Sequence, residues 1–247
     1  MKVIALIPAR YNSQRFSGKL MKDLLGKTVI LRTYEAAVQS KLFNEVFVVT
    51  DSQVIYDEII SNGGKCLVSS KQHETGTDRI AEFAPQIDAD IIINIQGDEP
   101  FINKQALSDM IKAFEEDSFE IIDIVSLMIK IDSKEDFLNP NNVKVVTDSS
   151  DFAMYFSRAP IPYSRNNIFE KAYKHIGAYA FRKEVLVEMP NVESTELEQI
   201  EKLENLRFLN AGMMIKMIKT DKVNFGIDTE EDLQEAIAFL RDKKEKE

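Results

Sequence analysis

The sequence predicts an α/β protein: a mostly parallel sheet with helices on both faces, plus a smaller mixed lobe. Three observations carry this reading. Up to Pro100 the chain alternates strand-like and helix-like patterns, the signature of parallel strands joined by crossover helices. The runs Val3-Ile4-Ala5-Leu6, Val46-Phe47-Val48-Val49 and Ile91-Ile92-Ile93-Asn94-Ile95 are almost wholly apolar, as strands buried on both faces are. After Asp123 the alternation stops and strand-like segments follow one another, which predicts an appended lobe with antiparallel or mixed pairing.

With 247 residues the chain can bury one large core, alone or with a small lobe. Its net charge of -10 argues against nucleic acid and anionic membrane as partners. The single cysteine, Cys66, excludes a disulfide framework and a cysteine zinc site, and its apolar neighbours Leu67 and Val68 predict a small core residue. No secretory signal pattern precedes the first strand, and no run approaches the roughly 20 apolar residues of a membrane span. A cytoplasmic protein is the expectation.

The first strand should end at Pro8, which cannot continue a central strand. The loop that follows, residues 7–19, carries Arg10, Arg15 and Lys19. With Lys2 and Lys22, the first 22 residues hold five cations and no acid. Cations gathered behind the first strand of an acidic protein predict an anion site, most simply for phosphate, although any one Arg alone would read as a solvated side chain. Neither G-x-x-x-x-G-K-[ST] nor G-x-G-x-x-G occurs there. Residues 29–42 read as a helix, 46–49 as a strand ending in Thr50-Asp51, 54–60 as a helix stopped by Gly63-Gly64, and 66–68 as a short strand. In residues 73–79, Thr77 is expected to cap a helix through Ile80 and Phe83. That start suits polar ligand recognition, but an ordinary cap explains it as well. His73 alone marks no metal site.

The strand at residues 91–95 breaks at Gln96-Gly97-Asp98-Glu99-Pro100. Asp98 there is either a turn former or a Mg²⁺ ligand. A helix at 104–114, strands at 123–131 and 143–147, a turn at 139–142 and an extended stretch from 153 to 162 follow. In the strand 175–182, His175, Gly177 and Tyr179 share one face, which lines a polar pocket or holds a satisfied structural histidine. Thr195 and Glu198 form a capping box for one helix carrying Leu197, Ile200, Leu203, Leu206 and Leu209, with Glu204 inside its apolar sector. Residues 214–218 read as a strand. Thr229 and Asp232 cap a last helix, and Asp228 just before it sits where a helix dipole favours an acid.

Six motifs, in order, resemble the cytidylyltransferases that activate 3-deoxy-manno-octulosonate (Kdo). They are Pro8-Ala9-Arg10 with Arg15-Phe16-Ser17-Gly18-Lys19, the 73–79 loop, Gln96-Gly97-Asp98-Glu99-Pro100, His175-Ile176-Gly177-Ala178-Tyr179, Leu203-Glu204-Asn205-Leu206-Arg207, and Gly226-Ile227-Asp228-Thr229. Three positions depart from the family pattern: Ser17 replaces Pro, Thr75 replaces Ser, and Asn205 replaces Gln.

The resemblance implies a single Rossmann-like nucleotidylyltransferase domain, 1–247, with an inserted lobe at about 123–190 that covers the sugar site and dimerises. It implies transfer of CMP from CTP to the anomeric hydroxyl of Kdo, releasing pyrophosphate, for lipopolysaccharide synthesis. CTP would meet Pro8, Ala9, Arg10, Arg15, Lys19, Thr75, Arg79, Gln96 and Asp98. The catalytic set would be Arg10, Arg15, Lys19, Asp98 and Asp228, with Mg²⁺ on Asp98 and Asp228. The sugar acid would meet Arg158, His175, Tyr179, Glu204 and Asn205, with Arg158 suited to its carboxylate. Alternatives are an 8-amino or sialic-type acid, a sugar-1-phosphate substrate, or a non-catalytic nucleotide-binding protein on the same fold. Neither Asp98 nor Asp228 has a neighbouring cation in sequence. The two should therefore repel, and replacing either by Asn should leave stability unchanged or raised.

Overall fold

In chain order the elements are β1 (Val3–Ala9), α1 (Val29–Ser40), β2 (Glu45–Thr50), α2 (Gln53–Ser61), β3 (Cys66–Val68), α3 (Gly76–Ala81), β4 (Ile91–Asn94), α4 (Lys104–Glu116), β5 (Ile124–Ile131), α5 (Lys134–Leu138), β6 (Lys144–Thr147), β7 (Ala153–Ser157), β8 (Ala172–Arg182), α6 (Lys183–Glu188), α7 (Glu196–Glu201), α8 (Asn205–Asn210), β9 (Ile215–Thr220) and α9 (Glu230–Lys244). The computed structural model describes residues 1–12, 16–73, 75–165, 171–221 and 226–244. They fall into two compact units, Met1–Lys104 with Asn224–Glu247, and Gln105–Val223.

The first unit contains the predicted parallel sheet, in the order β3-β2-β1-β4. The inner strands β1 and β4 are buried because helices take both faces, and Ile4, Leu6, Ile7, Val48 and Ile91 to Ile93 are almost wholly inaccessible, whereas the edge strand β3 is only half-buried. Contrary to expectation, β1 does not stop before Pro8. It pairs on through Pro8 with Val49 and Ala9 with Thr50. The reason lies in parity. The Leu6 carbonyl accepts from Ile95 N on the β4 side, so the N–H that Pro8 lacks would also point there, and β4 pairing has ended at Leu6↔Asn94. The ladder therefore loses nothing.

Caps set the helix starts. Thr28 accepts from Leu31 N and Ser52 from Ile55 N. The α3 cap is Thr75, not Thr77, which is buried inside the helix. Thr33 on α1 donates to the Gly97 carbonyl at 2.9 Å, tying that helix to the loop behind β4. Gly97 has no room to spare: a Cβ there would lie 3.0 Å from the Pro8 carbonyl oxygen and 3.2 Å from Ile30 Cδ1. α9 begins as expected, with Thr229 accepting from Asp232 N while Asp232 accepts from the Asp228 and Thr229 amides.

The second unit is larger than the lobe expected at 123–190. Its sheet has β5 between β8, antiparallel, and β9, parallel, with β6 joining β8 to β7. Sequence alternation marks only where the crossover pattern stops. It does not reveal that β9 pairs back onto β5, or that Phe114 of α4 lies under the Arg182 guanidinium. The single helix expected from Thr195 onward is two helices. Lys202, at φ 55, closes α7 in a left-handed conformation, and α8 starts anew after Glu204. Leu197 and Ile200 are exposed while Leu203 and Leu206 are buried, so the continuous apolar stripe is not one face. Among the described residues, no helix is long and apolar enough to cross a membrane.

The tight approach at Gly97 yields a test. Gly97→Ala must push apart the end of β1 and the loop behind β4, so it should destabilise the protein by about 1–3 kcal/mol, read as a lowered denaturant midpoint with an unchanged slope. An unaltered midpoint would mean these backbones can separate freely.

Candidate active site

In the first unit three segments far apart in sequence meet. Gly18, at φ +65, adopts a conformation few side-chain-bearing residues tolerate and opens a 3-10 turn starting at Lys19. The Asp98 carbonyl accepts from Ile227 N at 2.9 Å, which brings Asp228 alongside Asp98. The Lys19 ammonium then donates to Asp228 Oδ1 at 2.8 Å and, in a closer contact, to Asp98 Oδ2. Burial opposes the charge on Lys19, but the Asp98 charge and the hydrogen bonds to both carboxylates outweigh it and raise its pKa. The expectation of two repelling carboxylates with no cation is thus corrected: Lys19, 79 and 209 residues away, lies between them.

Both carboxylates reach one point, and an oxygen pair is what Mg²⁺ takes when waters and substrate phosphates complete its shell. Among the described residues no group of three or more His, Cys, Asp or Glu gathers around a metal position. The donor set therefore fits a shared, substrate-completed ion rather than a closed protein cage.

A cavity of about 470 Å³ in the same unit is lined by Arg10, Tyr11, Asp51, Gln72, His73 and Arg79, among others. Arg10 is exposed. Arg79, only 4 % exposed, is clamped by both oxygens of Asp51, at 3.0 and 3.2 Å. Asp51 drew no functional expectation, yet its position at the C-terminal end of a parallel strand was the signal. His73 Nε2 lies 2.7 Å from Glu82 Oε2. Burial would raise the Glu82 pKa, but Ser69, His73 and Ser70 hydrogen-bond its carboxylate and hold it down to about 2. The Thr75 hydroxyl oxygen accepts from the Asp78 amide, and Gln96 stands beside Gly76, whose Cβ position would lie 3.8 Å from Gln96 Oε1. Pro8 and Ala9 are buried in β1. Arg15 lies outside the described residues.

The second unit holds the other expected cluster. A register shift after Ser126 sets Tyr179 opposite Ser126 and Ile176 opposite Leu127. His175 and Tyr179 stay on one side, ring centroids 5.6 Å apart. Ser126 Oγ donates to the Ala178 carbonyl at 2.9 Å and lies 2.9 Å from His175 Nε2, so Nε2 carries the proton. Burial lowers the His175 pKa to about 3, leaving it neutral. Tyr179, 4 % exposed, is pushed well up by burial and by the Glu204 charge, so its hydroxyl stays protonated. Glu204 Oε2 is buried. Asn205 is 1 % exposed, and its Nδ2 has no hydrogen-bond partner among the described residues.

Arg158 Nε donates to the Glu201 carbonyl at 2.7 Å and its other nitrogens to the Pro140 and Lys202 carbonyls, at 3.0 and 3.4 Å. It braces the end of α7 with three of its five N–H groups. Lys144, fully buried, holds the Arg158 and Asn139 carbonyls at 2.6 and 3.0 Å.

Residues 4–217 match the family model described as Cytidylyltransferase. A 3-deoxy-manno-octulosonate cytidylyltransferase of Flavobacterium johnsoniae is 55% identical over 243 residues, covering 98% of this chain and 100% of the relative. The enzyme of the same name from Christiangramia forsetii is 53% identical over 240 residues, covering 97% of each. A solved structure of CMP:2-keto-3-deoxy-manno-octonic acid synthetase complexed with CTP superposes with a TM-score of 0.93, at 36% identity, over 98% of this chain and 100% of that one.

The Glu82 cluster predicts a pH dependence. A carboxylate depressed from 4.5 to about 2 in the folded state stabilises the protein fully above its unfolded value and progressively less as pH falls toward 2. Glu82→Gln should therefore cost on the order of 2 kcal/mol near neutral pH, with the gap to wild type closing between about pH 4.5 and 2. Melting curves across that range check it; a gap constant with pH would show that the Glu82 charge contributes nothing.

Proposed function

The chain belongs to the cytidylyltransferase family, and we propose that it transfers CMP from CTP to the anomeric hydroxyl of 3-deoxy-manno-octulosonate, releasing pyrophosphate. The observation that carries this is the convergence of Lys19, Asp98 and Asp228 from three separate segments, next to a strand end of the type where α/β sheets bind ligands.

The sugar hydroxyl attacks the α-phosphorus in line, forming the new P–O bond as the bond to pyrophosphate breaks. Such transfer depends on positioning and on charge stabilisation. Arg10 and Lys19 supply cations for the triphosphate, with Arg15 proposed alongside them. The Asp51–Arg79 pair fixes one wall of the nucleotide cavity. Thr75 presents the start of α3, its hydroxyl oxygen accepting from the Asp78 amide while the O–H remains a donor. Asp98 and Asp228 would hold Mg²⁺, which would supply positive charge for the triphosphate and favour ionisation of the attacking hydroxyl. The Tyr179 hydroxyl, Glu204 carboxylate and Asn205 amide take the sugar acid. Neutral His175, held by Ser126, offers its second ring nitrogen as an acceptor. With this reading go a cytoplasmic homodimer and a place in lipopolysaccharide synthesis.

One observation favours a second substrate reading. Asn205 reaches one methylene less far than the family's Gln, which suits a bulkier ulosonic acid such as an 8-substituted Kdo analogue.

Pyrophosphate release with CTP and a panel of sugar acids tests both readings. Kdo should be turned over only with Mg²⁺, and Lys19→Ala should reduce turnover about 10²-fold or more. Asp98→Asn and Asp228→Asn should each lose most activity. Because Lys19 is left partly unpaired, they should also melt below wild type. Asn205→Gln should change the ratio of kcat/KM between Kdo and its analogues while leaving the KM for CTP alone. Full activity in chelator, or wild-type turnover by folded Lys19→Ala, would overturn the assignment.

A further inference from the structure

We propose that Lys19 is a removable counter-ion. Its ammonium occupies the point on which Asp98 and Asp228 converge, keeps free divalent metal out, and gives up that point when a triphosphate draws it away. The inference rests on the nucleotide reading above.

The geometry separates fixed parts from a movable one. Asp98 is held by the backbone around it, with Thr33 on the Gly97 carbonyl and Ile227 N on its own carbonyl. The Asp228 amide is held by Asp232 Oδ2 at 2.8 Å. The Lys19 backbone is set by the Gly18 turn, with Lys19 N donating to the Phe16 carbonyl at 3.2 Å. What remains free to swing is the lysine's flexible four-carbon stem. Its side chain is 14% exposed, against 43% for Asp228, so the ammonium sits beneath an approachable carboxylate.

The electrostatics follow from counting charge. Two carboxylates and one ammonium leave the cluster at about minus one. A divalent ion entering between the same oxygens would stand against the ammonium at contact range. It would also have to shed part of a hydration shell that Mg²⁺ gives up reluctantly. Expelling the ammonium alone would break two charge-assisted hydrogen bonds without replacing them. A nucleoside triphosphate removes both obstacles, because its oxygens give the ammonium a new partner and complete the metal's shell. Metal and nucleotide must then bind with positive coupling, each tightening the other by the same factor. The carboxylates stay partly neutralised and correctly placed in the free protein.

Manganese titration followed by electron paramagnetic resonance reads this directly, on wild type, Lys19→Gln and Lys19→Met, without nucleotide and with a non-hydrolysable CTP analogue. Wild type should bind free Mn²⁺ at least tenfold more weakly than either variant and gain tight binding only with the analogue. The variants should show a much smaller gain. Mg²⁺ alone should raise the melting temperature of Lys19→Gln and leave that of wild type unchanged, which also shows that the variant is folded. Equal Mn²⁺ affinity in all three proteins overturns the proposal, as does no Mn²⁺ binding to either variant. The two readings fail separately. Wild type that releases pyrophosphate from CTP and Kdo while binding Mn²⁺ like the variants keeps the function and loses the counter-ion. Wild type inactive on those substrates, with the Mn²⁺ gain present, does the reverse.

Discussion

The meeting of Lys19 with Asp98 and Asp228 is the interaction on which the first unit's functional end depends. It joins the turn after β1, the loop after β4 and the approach to α9, which nothing in local sequence brings together. Burying one ammonium with two carboxylates is unfavourable unless geometry is good and hydrogen bonds are made. Here backbone bonds fix the carboxylate-bearing segments, and the flexible partner is the lysine. The close approach of Gly97 to Pro8 belongs to the same construction, since a side chain at Gly97 would force apart the segments carrying two of the three charges.

Much of the first unit was legible because each signal in it is local. Apolar runs gave β1, β2 and β4, and a cation-rich, acid-free start marked the segment that carries Arg10 and Lys19. The errors there were of partner, not of element. Pro8 looked like a strand terminator because the sequence does not say which neighbour its missing N–H would face. Thr77 looked like a cap because Thr75, two residues earlier, carries the same hydroxyl and can start the helix two residues sooner. The Lys19 pairing was invisible because it spans 79 and 209 residues. Periodicity reports faces of elements and is silent about side chains that meet across loops.

The second unit was less legible for a related reason. Its sheet is assembled from pairings that skip along the chain, such as β5 with β9, and sequence alternation cannot order them. The placement of Glu204 shows how a correct result can stand on a wrong premise. A continuous 3.6-residue stripe pointed Glu204 inward, yet the left-handed Lys202 breaks that stripe. Glu204, partly buried, instead immediately precedes α8, whose Leu206 and Phe208 are buried. Arg158 has a role that its sequence context does not show: three carbonyls near the end of α7 and at Pro140 engage its guanidinium. Glu201 secures the same corner, accepting from Ser157 Oγ and Arg158 N.

The two units solve different physical problems. The first gathers charges, where opposite signs stabilise one another before any ligand arrives. The second gathers neutral or single polar groups in an apolar setting of Phe156, Phe181 and Phe208, where a buried amide hydrogen without an acceptor costs about 1–3 kcal/mol. Asn205 Nδ2 is such a group among the described residues. A leucine there would fill similar space at no such cost, so selection for stability alone does not account for it. On the proposed function, a ligand rich in hydroxyls would supply the acceptor and disfavour analogues that lack one. The brace from Lys144 through Arg158 to Glu201 and Lys202 has its place in the same logic. It ties down the turn that precedes Glu204 and Asn205, which holds the backbone carrying their polar groups in position.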